Sequence, residues 1–267
     1  MFKKILKFVG ILIATATVTF ATMVPIDWVM NHLPLSLTEN QILDYSGTLG
    51  VGGGALFIAL MSYKRGWCKD LKEGRFKFDK RVIPICLFVV AAVQVILNSV
   101  LGLAFHKIHP LVPEVNPDTD SILIDYIFSI VLAPLTEEFM FRFGIYGAMR
   151  HSFNKTLSMI VTAVMFMLVH GFQFQASVLC LVVGFILAYV FEKTGNIWYS
   201  ISVHSALNAY VSIANYLVRK GVPFFSDING YVVYHVVVIA AAAGIALLSA
   251  YVISGRGRKE RVQSPCS

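Results

Sequence analysis

The chain has 267 residues, 57% of them hydrophobic, and only 14% charged, with 22 Lys and Arg against 15 Asp and Glu; a soluble domain carries about 25%. A mean hydropathy of +0.72 excludes disorder, four scattered cysteines exclude a disulfide scaffold, and so few charges cannot coat a soluble surface. What remains is an integral membrane protein, in which the net charge of +7 reflects basic loops rather than nucleic acid.

Eight apolar stretches are long enough to cross a bilayer, near 5–24, 42–62, 82–105, 121–149, 156–175, 176–192, 197–217 and 230–253. Each reads as a helix, because a lipid-exposed backbone must satisfy its own hydrogen bonds. The fold class is therefore an all-α, polytopic transmembrane bundle of about eight spans. The first stretch has the basic start of a signal peptide, but Phe20-Ala21-Thr22 is a weak cleavage pattern, so it reads as a span. With the N-terminus inside, 18 of the 22 basic residues fall on one side, among them Lys3, Lys4, Lys7, the loop 63–81, Arg150, Lys155 and Lys193. This distribution predicts both termini in the cytoplasm of a cell carrying the protein in its plasma membrane. Trp28, Trp67, Trp198 and Tyr199 stand near span ends, where aromatic interface anchors are expected.

Gly50, Gly52, Gly53 and Gly54 lack the Gly-Lys-Ser/Thr of a phosphate loop and predict close helix packing or a local break in the second span. Cys86 and Cys180 read as small buried hydrophobes, and Cys68 as a reduced thiol in the basic loop. That loop is a solvated positive-inside segment, with a second reading as a surface for anionic lipid.

Ionisable groups within spans carry the functional signal, since lipid makes them costly. Pro134-Leu135-Thr136-Glu137-Glu138-Phe139-Met140-Phe141-Arg142 puts two acids and an arginine into the fourth stretch. Glu138 and Arg142, four apart, share a helix face and can pair, while Glu137 points about 100° away. The two carboxylates therefore meet different environments and can take different roles. His170 lies deep in the fifth stretch, and His204 and Asn208 share a face of the seventh. At 1.5 Å per residue, His170 is roughly 20 Å from Lys155, Glu137 and Glu138 roughly 18 Å from Met149, and His204 and Asn208 roughly 10–17 Å from Ile197. Three helices thus bring these groups to one depth, as a single polar site requires. Glutamate and histidine there can activate water directly or bind Zn²⁺ or another divalent metal. Asn and a second His can donate to an oxyanion. Together these are the means of hydrolysing an amide. No Ser or Cys has a matching base; Ser205 adjoins His204 but does not face it.

Glu137-Glu138-x-x-x-Arg142, Phe166-x-x-x-His170 and His204-x-x-x-Asn208 together resemble the motif set of the CPBP intramembrane proteases, which include CAAX prenyl endopeptidases and Abi or bacteriocin-immunity proteins. The resemblance covers about 120–215. It implies a helical core with an intramembrane catalytic cavity, in which Glu137 and His170 activate water, His204 and Asn208 stabilise the oxyanion, and Glu138 and Arg142 form a supporting pair. Where a metal is bound, Glu137, His170 and His204 are its expected ligands. The chain then divides into N-terminal spans (1–119), a catalytic core (120–217) and a last span with a basic tail (218–267). The expected partners are the bilayer and a membrane-associated or prenylated peptide substrate, with no nucleic acid.

Three functions compete on this pattern: an intramembrane endopeptidase, a non-enzymatic immunity or scaffold protein of the same fold, and a proton relay or transporter. All six polar positions are filled, which favours catalysis over binding alone. Transport would call for inverted repeats or paired broken helices, and neither is visible in the sequence.

Overall fold

In a computed structural model, residues 2–34, 37–69, 122–170 and 174–219 are described. The expected spans at 82–105 and 230–253 lie outside them. Every element among the described residues is helical. Helix α1 is Phe2–His32 and α2 is Glu39–Arg65. Helix α3 runs without a break from 122 to 152, passing through α-helical Ile122–Ile127, π-helical Phe128–Leu132, α-helical Ala133–Glu138, π-helical Phe139–Tyr146 and α-helical Gly147–Ser152. Helix α4 is Lys155–Val169, α5 is Phe174–Thr194 and α6 is Ile197–Arg219. Among the described residues, Phe2–His32, Glu39–Arg65 and Ser177–Thr194 are long and apolar enough to cross a membrane.

Side-chain chemistry sets the helix ends. Thr38 and Gln41 form a reciprocal capping box at the start of α2, and Gly66 closes its end at φ 62°, a conformation glycine adopts without strain. Asn154 accepts from the Leu157 N–H at 2.9 Å to start α4, and Asn196 does the same for Trp198 at the start of α6. Along α1, Thr15, Thr17, Thr19 and Thr22 each donate back to the carbonyl four residues earlier. Their hydroxyls are satisfied without help from a neighbour, as an apolar surrounding demands.

The glycine cluster packs α2 against α1. A Cβ on Gly50 would stand 2.6 Å from Met23 Cβ, and one on Gly53 2.8 Å from Thr22 Cβ. Gly47 on the same helix has nothing within 4 Å among the described residues. Gly50→Ala is therefore expected to lower stability by about 1–3 kcal/mol, while Gly47→Ala is neutral or gains up to about 1 kcal/mol. Thermal midpoints of the two purified variants separate these outcomes.

The contacts set direction. Gly50 meets Met23 and Gly54 meets Thr15, so α1 and α2 are antiparallel. Tyr45 reaches Asp125 and Ser62 reaches Phe143, so α2 and α3 are parallel. Two expectations change here. Helix α4 ends at Val169 and His170 sits in the turn beyond it, so the histidine is at a helix end rather than within a span. The fifteen residues of α4 reach about 22 Å, short of a hydrocarbon core of about 30 Å. Trp67 and Tyr199 are buried at 4% and 1% exposure, packed inward rather than anchored at an interface; Trp28 and Trp198 remain exposed.

Candidate active site

Pro134 explains part of the irregular course of α3. Its ring clashes with the carbonyl four residues back in a regular α-helix. Here the preceding turn is π-helical and the Ala133 N–H bonds to Phe128 O, five residues back. The wider turn leaves carbonyls free for side chains, and Asn208 Nδ2 donates to Ser129 O at 2.7 Å. In the second π stretch, Phe143 O accepts from Ser62 Oγ at 2.8 Å and from Cys68 Sγ at 3.4 Å. Burial pushes the Cys68 thiol up to about 11. In a chain whose other cysteines are replaced, Cys68 is expected to react with a maleimide near neutral pH about a hundredfold more slowly folded than unfolded.

The glutamate pair ends the α-helical stretch Ala133–Glu138, which lies between the two π stretches of α3. Glu138 and Arg142 are fully buried, with Arg142 Nη1 donating to Glu138 Oε1 at 2.8 Å. Arg142 Nη2 donates to Gly184 O on α5 at 3.3 Å, and its guanidinium lies over the Phe166 ring at 4.6 Å. His204 Nδ1 reaches the same Glu138 oxygen at 2.9 Å. With a guanidinium as counter-ion, the carboxylate accepts, so Nδ1 of His204 is the donor.

Glu137 projects elsewhere, as its place in the helix requires. Its Oε2 lies 3.5 Å from His170 Nε2 and 3.9 Å from His204 Nε2. His170 Nδ1 lies 2.7 Å from Phe166 O, and a carbonyl only accepts, so this nitrogen too is a donor. Both rings therefore have Nδ1 tied off and, when neutral, present the Nε2 lone pair to one carboxylate oxygen. Among the described residues, Glu137 Oε2 has no hydrogen-bond partner. Three acceptors facing one point call for a donor between them, and a water supplies two hydrogens. His170 and Glu137 are 31% and 18% exposed, against 5% for His204 and none for Glu138, so a reactant reaches this side of the site and not the ion pair.

The structure thus brings Glu137, Glu138, Arg142, His170 and His204 together. Asn208 stands one helical turn beyond His204, with one amide N–H held by Ser129. Two further residues complete the cluster without having been singled out as site residues. Phe166 stacks at a tilt on His170 (4.3 Å) and edge-on to His204 (5.7 Å) and Phe141 (5.3 Å), bridging both imidazoles and Arg142. Gly184 supplies its carbonyl to Arg142; a Cβ there would come within 3.1 Å of Ala163 Cα. Phe166 lies four residues before His170 on the same face, a signal open to sequence reading, whereas a lone glycine in an apolar helix gives none. As for metals, the donor types suit a divalent ion, but among the described residues no three His, Cys, Asp or Glu form a group arranged to hold one.

The family described as Type II CAAX prenyl endopeptidase Rce1-like matches residues 119–210. The UPF0177 protein YxdF of Lactococcus lactis subsp. lactis (strain IL1403) is 36% identical over 166 residues, 58% of this chain and 88% of that protein. The "Putative membrane peptidase YdiL" of Bacillus subtilis (strain 168) is 31% identical over 87 residues, 33% of this chain and 35% of that one. No solved structure matches. This chain is an integral membrane protein and belongs to the CPBP family, in which the Rce1-like CAAX prenyl endopeptidases also fall.

Proposed function

We propose that the protein is an intramembrane endopeptidase and that Glu137 is its general base. The observation that carries this reading is the unpartnered Glu137 oxygen faced by two imidazole nitrogens whose other nitrogens are tied off. A water seated against Glu137 and His170 gives one proton to Glu137 as its oxygen attacks the peptide carbonyl carbon. The carbonyl oxygen becomes an oxyanion, which takes hydrogen bonds from the remaining Asn208 N–H and from His204 Nε2 when that nitrogen carries a proton. Collapse breaks the C–N bond, and the proton on Glu137 passes to the leaving amine. Glu138 and Arg142 act as positioning residues, since Glu138 holds His204 by Nδ1.

This sequence of steps needs no metal. Exhaustive chelation is expected to leave the cleavage rate unchanged; loss of rate restored by Zn²⁺ would instead make Glu137, His170 and His204 its ligands. The substrate is a membrane-associated peptide, with a prenylated-type chain as the family relationship suggests, reached from the cytoplasmic side of the plasma membrane as the basic loops suggest. Peptide termini in membranes of cells carrying wild type are compared with those carrying Glu137→Gln. New termini confined to wild type support the protease. Identical termini, with any protective phenotype intact in Glu137→Gln, favour a non-enzymatic immunity protein.

A further inference from the structure

A carbonyl in a regular α-helix accepts from the N–H four residues on, and in a π turn from the N–H five residues on. Ser129 O meets neither donor. The Ala133 N–H, four residues on, goes to Phe128 O. Five residues on stands Pro134, which has no N–H. Among the described residues, the donor that reaches Ser129 O is the side chain of Asn208 on α6, at 2.7 Å. Pro134 is buried in the first turn of the stretch Ala133–Glu138. By what it lacks, it leaves a carbonyl of α3 for α6 to satisfy.

Within a membrane bundle an unpaired carbonyl has no bulk water to turn to, so its demand for a donor is strong. An asparagine amide carries two N–H donors and one acceptor in a single plane. Holding one N–H at Ser129 therefore also sets the direction of the other N–H and of Oδ1. His204, one helical turn away on the same face of α6, has its ring held by Glu138 at 2.9 Å. Both polar residues of this face are thus oriented by α3, His204 through a side chain and Asn208 through a backbone oxygen.

We propose that Pro134 is a positioning residue for Asn208: it keeps Ser129 O free of backbone donors, and Ser129 O aims the second Asn208 N–H at the reacting carbonyl. The catalytic part of this role rests on the endopeptidase reading above, whereas the link between Pro134 and Asn208 does not. Pro134→Ala restores an N–H at position 134. Ser129 O then gains a backbone donor in either register, from position 134 in a π turn or from Ala133 in an α turn, and this donor takes the place of Asn208.

Nuclear magnetic resonance of the purified full chain in detergent, with asparagine labelled with nitrogen-15, tests the link. Asn208→Ala identifies the resonance. In wild type one Asn208 side-chain proton is expected to be shifted downfield and to exchange slowly with deuterium, a measurement that needs no folded variant at position 134. Pro134→Ala is expected to abolish both features at an equal or higher thermal midpoint, because proline is disfavoured within a helix. A fast-exchanging Asn208 amide in wild type, or an amide unchanged in Pro134→Ala, overturns the link. The catalytic role is read with a peptide whose new terminus depends on Glu137. Pro134→Ala is expected to lower kcat about ten- to a hundredfold with KM within about twofold. The double variant Pro134→Ala/Asn208→Ala is expected to be no slower than Asn208→Ala. An unchanged kcat, or losses that multiply in the double variant, overturns the positioning role. If no terminus depends on Glu137, the endopeptidase reading fails and the amide measurement still decides the link.

Discussion

Arg142→Met is expected to destabilise the folded protein by about 3–5 kcal/mol, because it strands a fully buried Glu138 carboxylate. The double variant Glu138→Met/Arg142→Met is expected to recover most of that loss, since it removes the remaining charge and fills the space with apolar groups of similar length. The reason is an asymmetry in buried ion pairs: removing one partner costs far more than removing both. The double variant stays inactive, because His204 loses the acceptor that holds its ring. Unfolding of the purified variants in detergent, followed by circular dichroism, reads the difference. Equal destabilisation of single and double variants would show that the ion pair is not the source of the loss.

Glu137→Gln is expected to leave folding intact and to lower the rate of peptide cleavage by about 10²–10⁴-fold, the usual contribution of a positioned general base. The amide keeps the shape of the carboxylate at a partly exposed position, so packing does not change. What changes is basicity: an amide oxygen cannot take the proton of an attacking water. The loss corresponds to about 3–5 kcal/mol of barrier. His170→Ala removes the other acceptor on the exposed side of the site and is expected to reduce cleavage in the same way while the Glu138–Arg142 pair remains.

Much of this site could be read from helical periodicity. Glu138 and Arg142 meet because they are four apart, Glu137 turns away because it is one apart, and depth arithmetic put His170 and His204 at the level of the acids. Two things escaped that reading. The π stretches of α3 shift hydrogen bonds by one residue without altering composition, and Pro134 is their only local mark. The end of α4 at Val169 sets His170 in a turn, although the residues on both sides are apolar; Gly171, a helix-closing residue type, was the available cue. Trp67 and Tyr199 were misread because an aromatic residue near a span end can face a neighbouring helix as readily as lipid, and only packing decides. The roles of Phe166 and Gly184 depend on contacts between helices, which one-dimensional spacing does not contain.

The claim that Glu137 activates water is tested most directly by single-turnover cleavage of a membrane-peptide substrate by purified wild type and Glu137→Gln, measured beside their thermal midpoints. The account predicts equal midpoints and a rate at least about 100-fold lower in the variant. Equal rates at equal midpoints would contradict it.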